Sequence, residues 1–399
     1  MDVVDKKGWP FYSGEEAEAV KQVLLSNKVN YWTGEHCKLF EAEFSRFAEV
    51  EYSVALSNGT VALDLALRAI GIATGDEVIV TPRTFIASVS SIVQLGARPI
   101  FADVDKESGN ITSDTIQSVI SHKTKAIICV HLAGWPCDMD EIVDLAKTQN
   151  IKVIEDCAQA HGAKYKGRSV GSLGDIGCWS FCQDKIMTTA GEGGMVTTNN
   201  EYFFKKMWAY KDHGKSYDLV HQKNHPPGFR WLHDTFGTNY RMTEIQAAIG
   251  RIQIKRMPLW NSLRNKNQNT IWEGCKGIKG LRVPRFVGCR SEDNEKKCSV
   301  HGAYKCYVYL EDTLKYNWDR ERIIDSLNEK GISCFSGSCS EVYLEKAFDE
   351  GQLRPAARLP IAKDLGESSL MFLIHPNLTS GDMERTVDCL GSVMSEATH

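Results

Sequence analysis

Lys185 stands in residues 178–198, CWSFCQDKIMTTAGEGGMVTT, five residues after Ser180 and ahead of Gly191-Glu192-Gly193-Gly194. Only a free amine attacks a carbonyl, and a dry, partly apolar setting disfavours an ammonium, so a lysine in such surroundings suits imine formation. The same stretch reads equally as an exposed loop lysine followed by a glycine turn and the strand MVTT, because lysines are mostly exposed.

The upstream run IKVIEDCAQAHGA, residues 151–163, tips the balance. It reads as a buried strand, IKVIE, that delivers Asp156 and then Gln159 just past its C-terminal end, where open α/β sheets bind ligands. A carboxylate there and a lysine about thirty residues later are what pyridoxal 5'-phosphate (PLP) needs. The carboxylate keeps the ring nitrogen protonated and the amine holds the aldehyde.

Composition sets the outer bounds. A chain of 399 residues, 42% hydrophobic and 25% charged, suits a soluble two-domain protein. A formal net charge of −4 argues against nucleic acid as partner. No apolar run suggests a membrane span, and the start MDVVDKKGWPF does not read as a signal peptide, so a cytoplasmic location is expected. The 13 cysteines form no C-x-x-C pair and are read as reduced, mostly buried thiols. A zinc site on His131 and Cys137 is the lesser reading, and no metal is expected.

In chain order, SGEEAEAVKQVLLSNK reads as a helix with Ser13 as N-cap. After the turn NYWTGEH, CKLFEAEFSRFAEV repeats a helical period with Leu39, Phe40, Phe44 and Phe47 on one face. The strand EYSVALS then runs through Asn58-Gly59-Thr60 into the helix VALDLALRAIGI, leaving backbone N–H groups at a helix start that suits a phosphate. GDEVIVTP, a helix starting near Phe85, ARPIFADVD, DTIQSVISH, KAIICVHL and MDEIVDLAKTQ continue the alternation, which implies a mainly parallel sheet covered on both faces. The second half reads as a long helical region in which Pro258 kinks or breaks the chain, the strand YKCYVYLE, the helix DRERIIDSLNEKG and a closing helix MERTVDCLGSVMSEA. Residues 285–302 read as an exposed loop.

SNGTVALDLAL, GDEVIVTPRTFIAS, GARPIFADVD, TKAIICVHLAGWPCDMD, VIEDCAQAHGAKYKGRSVGSLGDIGCWSF, the Lys185 stretch with GEGGMVTT, and FGTNYRMTEIQAAIG together resemble the DegT and StrS sugar aminotransferases. The resemblance implies a fold type I PLP transferase: a large three-layer α/β/α domain, 11–257, with a mainly parallel sheet, and a smaller α+β C-terminal domain, 258–399. It implies Lys185 as Schiff-base lysine and proton carrier, Asp156 at the ring nitrogen, Gln159 near the ring hydroxyl and Phe85 over the ring. Asn58, Gly59, Thr60 and Ser180 match the phosphate cradle, and Asn239 matches an asparagine that reaches the neighbouring subunit's phosphate, so a homodimer with shared sites is expected. Trp32, Gly34 and Lys215 are assigned to the substrate rim, the first two with core packing as the competing reading.

The implied reaction moves an amino group from L-glutamate, by way of pyridoxamine phosphate, to a keto sugar on a nucleotide, of 4-keto-6-deoxy type on dTDP, UDP or GDP. After the helix DRERIIDSLNEKG the chain departs from the family's histidine-tyrosine-proline pattern and reads GISCFSGSCSEVYLEKAF. Ser336, Ser338, Ser340 and Glu341 would there face the sugar. Three rival readings are an aminotransferase of a cyclitol or other cyclic ketone, a PLP-dependent sugar dehydratase, which the presence of Lys185 disfavours, and a non-catalytic PLP-binding regulator.

Overall fold

A computed structural model describes residues 8–288 and 298–399, so most of segment 1–10 and the middle of the expected loop 285–302 lie outside the described residues. The helix α1 (Gly14–Leu25) starts where expected. The Ser13 hydroxyl accepts the Glu15 N–H at 3.2 Å while the Glu16 carboxylate accepts the Ser13 N–H at 2.9 Å. The helix α2 (His36–Ala48) buries Phe40 and Phe44, but Phe47 is only half-buried and Leu39 is exposed. The apolar seam is narrower than its sequence suggests because α2 meets the core only along the line facing the first strand and the long helix Glu244–Cys275.

The main sheet contains β1 (Tyr52–Leu56), β2 (Glu77–Val80), β3 (Arg98–Phe101), β4 (Thr124–Val130) and β5 (Lys152–Asp156). A short hairpin of β6 (Lys164–Tyr165) and β7 (Arg168–Ser169) follows, and β8 (Ile176–Ser180) and β9 (Gly194–Thr198) complete the sheet. Its order is β1-β9-β8-β5-β4-β2-β3, with β9 antiparallel to both neighbours and the other pairs parallel. The helices α3 (Gly59–Ile70), α4 (Ala87–Gln94), α5 (Ser113–Gln117), α6 (Met139–Gln149), α7 (Glu201–Lys211) and α8 (Tyr217–His221) accompany it. β4 shows why both faces must be covered. Ala126, Ile128 and Val130 join one core cluster, and Ile127 and Cys129 join the cluster on the opposite face.

The helix α9 (Glu244–Cys275) runs unbroken through Pro258. The expected break is absent because both halves are held by packing. Ala247, Ile254, Met257 and Trp260 belong to the core under the main sheet, and Ile271, Trp272 and Cys275 belong to a second core further on. That second core joins α10 (Arg320–Glu329) and α12 (Ser380–Ala397) to an antiparallel sheet of order β10-β11-β13-β12, made of β10 (Leu281–Arg282), β11 (Cys306–Leu310), β12 (Cys334–Phe335) and β13 (Ser369–Phe372), while α11 (Pro360–Ser368) packs toward the main sheet.

Among the described residues no helix is long and apolar enough to cross a membrane. The described cysteines are free and mostly buried, except Cys298, which is disulfide-bonded. Sequence spacing does not report the Cα separation on which a disulfide depends.

Candidate active site

Asp156 ends β5 and is buried, with 6% of its surface exposed. Its Oδ2 accepts the Ser88 hydroxyl at 2.8 Å and its Oδ1 accepts the Ala158 N–H at 3.1 Å. Burial raises its pKa above the ordinary carboxylate value, and the bonds from Ser88 and Ala158 and the charge of Lys185 oppose that rise without cancelling it. The site is therefore short of positive charge, and a protonated ring nitrogen would relieve it. Ser88 lies in α4, and its N–H bonds the Phe85 carbonyl at 3.2 Å, so the turn that carries Phe85 is tied to Asp156. The Phe85 ring is 67% exposed and has a face free for a flat group.

Gln159 follows in the same turn and is buried. Its Oε1 accepts the Ala133 N–H at 2.8 Å from a residue at φ 57°, so its amide NH2 is the end left to donate outward.

The residues expected to cradle a phosphate come from two strand ends. Asn58 caps α3, its Oδ1 accepting the Val61 N–H at 3.0 Å, and Ser180 ends β8 alongside. A Cβ on Gly59 would lie 2.6 Å from the Ser180 Cβ, and one on Gly194 would lie 2.2 Å from the Asn58 carbonyl oxygen. Glycine at both positions keeps open a turn whose N–H groups and hydroxyls suit a dianion. Thr60, in the first turn of α3, is exposed.

Lys185 lies in the turn between β8 and β9. That turn is closed by the Phe181 N–H on the Gly193 carbonyl at 2.8 Å and the Lys185 N–H on the Cys182 carbonyl at 3.1 Å. Its side chain is 18% exposed, with Nζ 3.8 Å from Asp184 and 5.2 Å over the Tyr304 ring. Asp184 accepts the Tyr304 hydroxyl, and Trp9 Nε1 donates to the Lys185 carbonyl at 2.8 Å. His161, between Trp179 and Phe181, is pulled down to about 3 by burial and by the charges of Lys185 and Arg264, so it stays neutral beside the lysine. The structure thus brings Lys185, Asp156, Gln159, Ser180, Asn58, Gly59 and Phe85 to the C-terminal ends of the parallel strands.

The lesser zinc reading rests on His131 and Cys137, and the structure gathers a different set around His131. His131, Glu155 and Cys157 lie close enough to share an ion. However, His131 Nδ1 accepts the Cys137 N–H at 3.0 Å, so its Nε2 carries the proton and donates to Glu155 at 3.0 Å. The Glu155 oxygens also accept the N–H groups of Gly171, Leu173 and Gly174. This is a structural tie behind Asp156.

The remaining expected residues form two groups, each held by its own contacts. Asp212 receives Lys215 Nζ at 3.3 Å and Arg241 Nη1 at 2.7 Å and bridges the backbone of the exposed Asn239. Lys215 Nζ stands 4.3 Å over Trp32, while a Cβ on Gly34 would fall 2.2 Å from the Glu244 carboxylate, so packing alone requires that glycine. In the second group, Ser338 pairs with Tyr307, the Ser336 carbonyl accepts from Ser369, and Ser340 faces Gly366. Glu341 accepts Arg358 Nε at 3.0 Å and the Tyr343 hydroxyl at 2.5 Å. Burial pushes its pKa up, but those bonds and the Arg358 charge outweigh it and hold Glu341 below its ordinary value. Its carboxylate is committed within the fold.

A model of the DegT/DnrJ/EryC1/StrS aminotransferase family matches residues 11–391. The chain belongs to this family. Like its other members it is a fold type I aminotransferase. It is 47% identical over 371 residues to the GDP-perosamine synthase of Escherichia coli O157:H7, covering 93% of each chain. It is 33% identical over 392 residues to the GDP-perosamine synthase of Caulobacter vibrioides, covering 96% of this chain and 97% of that one. The X-ray structure of the aminotransferase from Psychrobacter cryohalolentis superposes with a TM-score of 0.94 at 59% identity, covering 98% of both chains. The sequence reading missed Trp9, Arg264, Tyr304 and Lys305, which the fold brings to the Lys185 turn from distant positions. No local motif marks them.

Proposed function

We propose that this aminotransferase holds PLP on Lys185 and moves an amino group from L-glutamate to the ketone of a nucleotide-linked 4-keto-6-deoxy sugar, with GDP as carrier. The product would be an amino sugar for a surface polysaccharide, and the soluble nucleotide-linked substrate suits a cytoplasmic enzyme. The observation that carries the reading is the buried Asp156, short of a cation, at the same strand ends as Lys185 and a cradle that only glycine leaves open. The bound cofactor supplies an electron sink for the carbon that loses its proton. The chain's own residues would do the rest: Asp156 would hold a proton on the ring nitrogen, Gln159 would donate to the ring hydroxyl, Ser180 and the α3 turn would bind phosphate, and Lys185 would carry the proton at the reacting carbon. The choice of GDP rests on the two relatives named above.

Exposed aromatics support a homodimer. Phe229, Trp231 and Phe236 are 80%, 83% and 99% exposed on the stretch that also carries Asn239. Large exposed apolar side chains on one segment mark a contact surface, and a second copy placed there would bring Asn239 to its neighbour's phosphate. Sedimentation at twice the chain mass checks the assembly.

The test is a panel assay. Borohydride reduction of the yellow protein followed by peptide mapping should mark Lys185. Incubation with L-glutamate and the 4-keto-6-deoxy sugars of GDP, dTDP and UDP should convert the GDP sugar to its amine by mass spectrometry. An unmodified Lys185, or no amine from any of the three sugars, would overturn the reading.

A further inference from the structure

The helix α9 carries a guanidinium that is buried with no counter-ion among the described residues. Arg264 is 1% exposed, and among the described residues its Nε and Nη2 have no hydrogen-bond partner. Its Nη1 makes two long contacts, at 3.5 Å, to the carbonyls of Ala303 and Tyr304, and its Cζ stands 4.7 Å over the Trp9 ring. Nε and Nη2 share the edge of the guanidinium that meets both oxygens of a carboxylate side-on. The edge best suited to an anion is the one left free, and leaving buried donors unpaired is costly.

Arg264 lines a cavity of about 470 Å³, within the range of small-molecule sites. Lys305 and His375 line it too, and His375 Nδ1 is a second buried polar atom without a partner among the described residues. The two carboxylates in the wall have other work: Asp184 accepts the Tyr304 hydroxyl, and Asp382 accepts the Thr379 N–H at 2.9 Å at the start of α12. Burial, with help from Arg264 and Lys185, lowers the Lys305 pKa against the opposing charge of Asp184, and burial with Arg264 and Lys305 takes His375 down to about 4. An anion would relieve all three groups. The cavity adjoins the reactive lysine. Tyr304 lies beneath Lys185 Nζ at 5.2 Å and beneath Lys305 Nζ at 4.8 Å, and Trp9 bonds the Lys185 carbonyl.

We propose that Arg264, supported by Lys305 and His375, binds the side-chain carboxylate of a dicarboxylic amino donor. This rests on the transamination reading and gives it a reason to prefer glutamate over a neutral amino acid. The sugar nucleotide, whose anion is a diphosphate, is the competing source of negative charge, and the test separates the two.

The experiment titrates cofactor-free protein by calorimetry with 2-oxoglutarate, GDP and inorganic phosphate, using wild type, Arg264→Gln and Lys305→Gln. The expected result is that 2-oxoglutarate binding weakens about tenfold or more in Arg264→Gln and less in Lys305→Gln, while GDP binding is unchanged. Reloaded with PLP, Arg264→Gln should need more glutamate for half-saturation of the first half reaction and should respond to L-alanine as wild type does. Wild-type affinity of Arg264→Gln for 2-oxoglutarate, or a loss confined to GDP or phosphate, overturns the proposal. If Arg264→Gln fails to fold, Lys305→Gln decides by the same comparison. Wild type that binds 2-oxoglutarate but aminates no sugar nucleotide would keep this site and remove the acceptor assignment, whereas wild type that aminates the sugar without binding 2-oxoglutarate would remove this site alone.

Discussion

In the role proposed for it, Asp156 would be indispensable to chemistry and dispensable to folding. Its two hydrogen bonds come from the Ser88 hydroxyl and the Ala158 N–H. An asparagine can keep the second and reverse the first, because Ser88 Oγ already lies 2.7 Å from the Thr84 hydroxyl and either can donate. Asp156→Asn should therefore leave the unfolding midpoint nearly unchanged while slowing both half reactions on the order of 10³-fold, since an amide cannot hold a proton on the ring nitrogen. Single-turnover absorbance with glutamate measures the loss. Turnover within a few-fold of wild type would remove Asp156 from that role.

At the scale of elements, the start of α2 depends on a distant residue. Glu35, at its N-cap, makes no side-chain cap, and the first N–H groups of a helix need acceptors. The wholly buried Glu244 of α9 supplies them, accepting the His36 N–H at 2.6 Å and the Cys37 N–H at 3.0 Å. The negative charge also faces the positive end of the α2 dipole. Glu244→Ala should cost about 2–4 kcal/mol, because it leaves one buried and one half-buried donor and a gap. Urea denaturation gives the figure, and a loss below about 0.5 kcal/mol would show that α2 finds its acceptors elsewhere.

At the scale of the whole molecule, buried neutral histidines tie stability to pH. His161 and His301 are each held at about 3 by burial, below the ordinary value of 6.5, and His301 Nδ1 accepts the Ala303 N–H at 2.8 Å, which protonation would forbid. With folded pKa values below the unfolded one, the unfolded chain takes up protons that the folded chain refuses. The stability these residues confer is complete above pH 6.5 and is lost as pH falls toward 3. His161→Phe keeps an aromatic ring between Trp179 and Phe181 and removes one such site. Below pH 6 its stability relative to wild type should rise by about 1.4 kcal/mol per pH unit of acidification. Chemical denaturation of cofactor-free protein between pH 7.5 and 4.5 tests this, and a constant gap would show that His161 already titrates in the folded state.

The strand-end positions of Asp156, Gln159 and the Asn58-Gly59-Thr60 turn were legible in the sequence because each is local: a strand pattern places the residue at its end, and the end of a parallel strand is where ligands sit. The α/β alternation was legible for the same reason, since periodicity is written residue by residue. What the sequence left open depends on contacts between distant positions. β8 went unread because IGCWS carries no alternation and is buried along its whole length, and the reversal of β9 is a property of pairing. Pro258 looked like a kink or break because its cost is local, whereas the packing that keeps α9 continuous through it comes from two separate cores. Gly34 reads from the sequence as packing or pocket rim, and only the fold shows Glu244, 210 positions later, against it. The unpaired edge of Arg264 is likewise visible only when α9, Trp9 and the stretch from Ala303 to Lys305 are brought together, because a side chain's lack of a partner is a fact about everything around it.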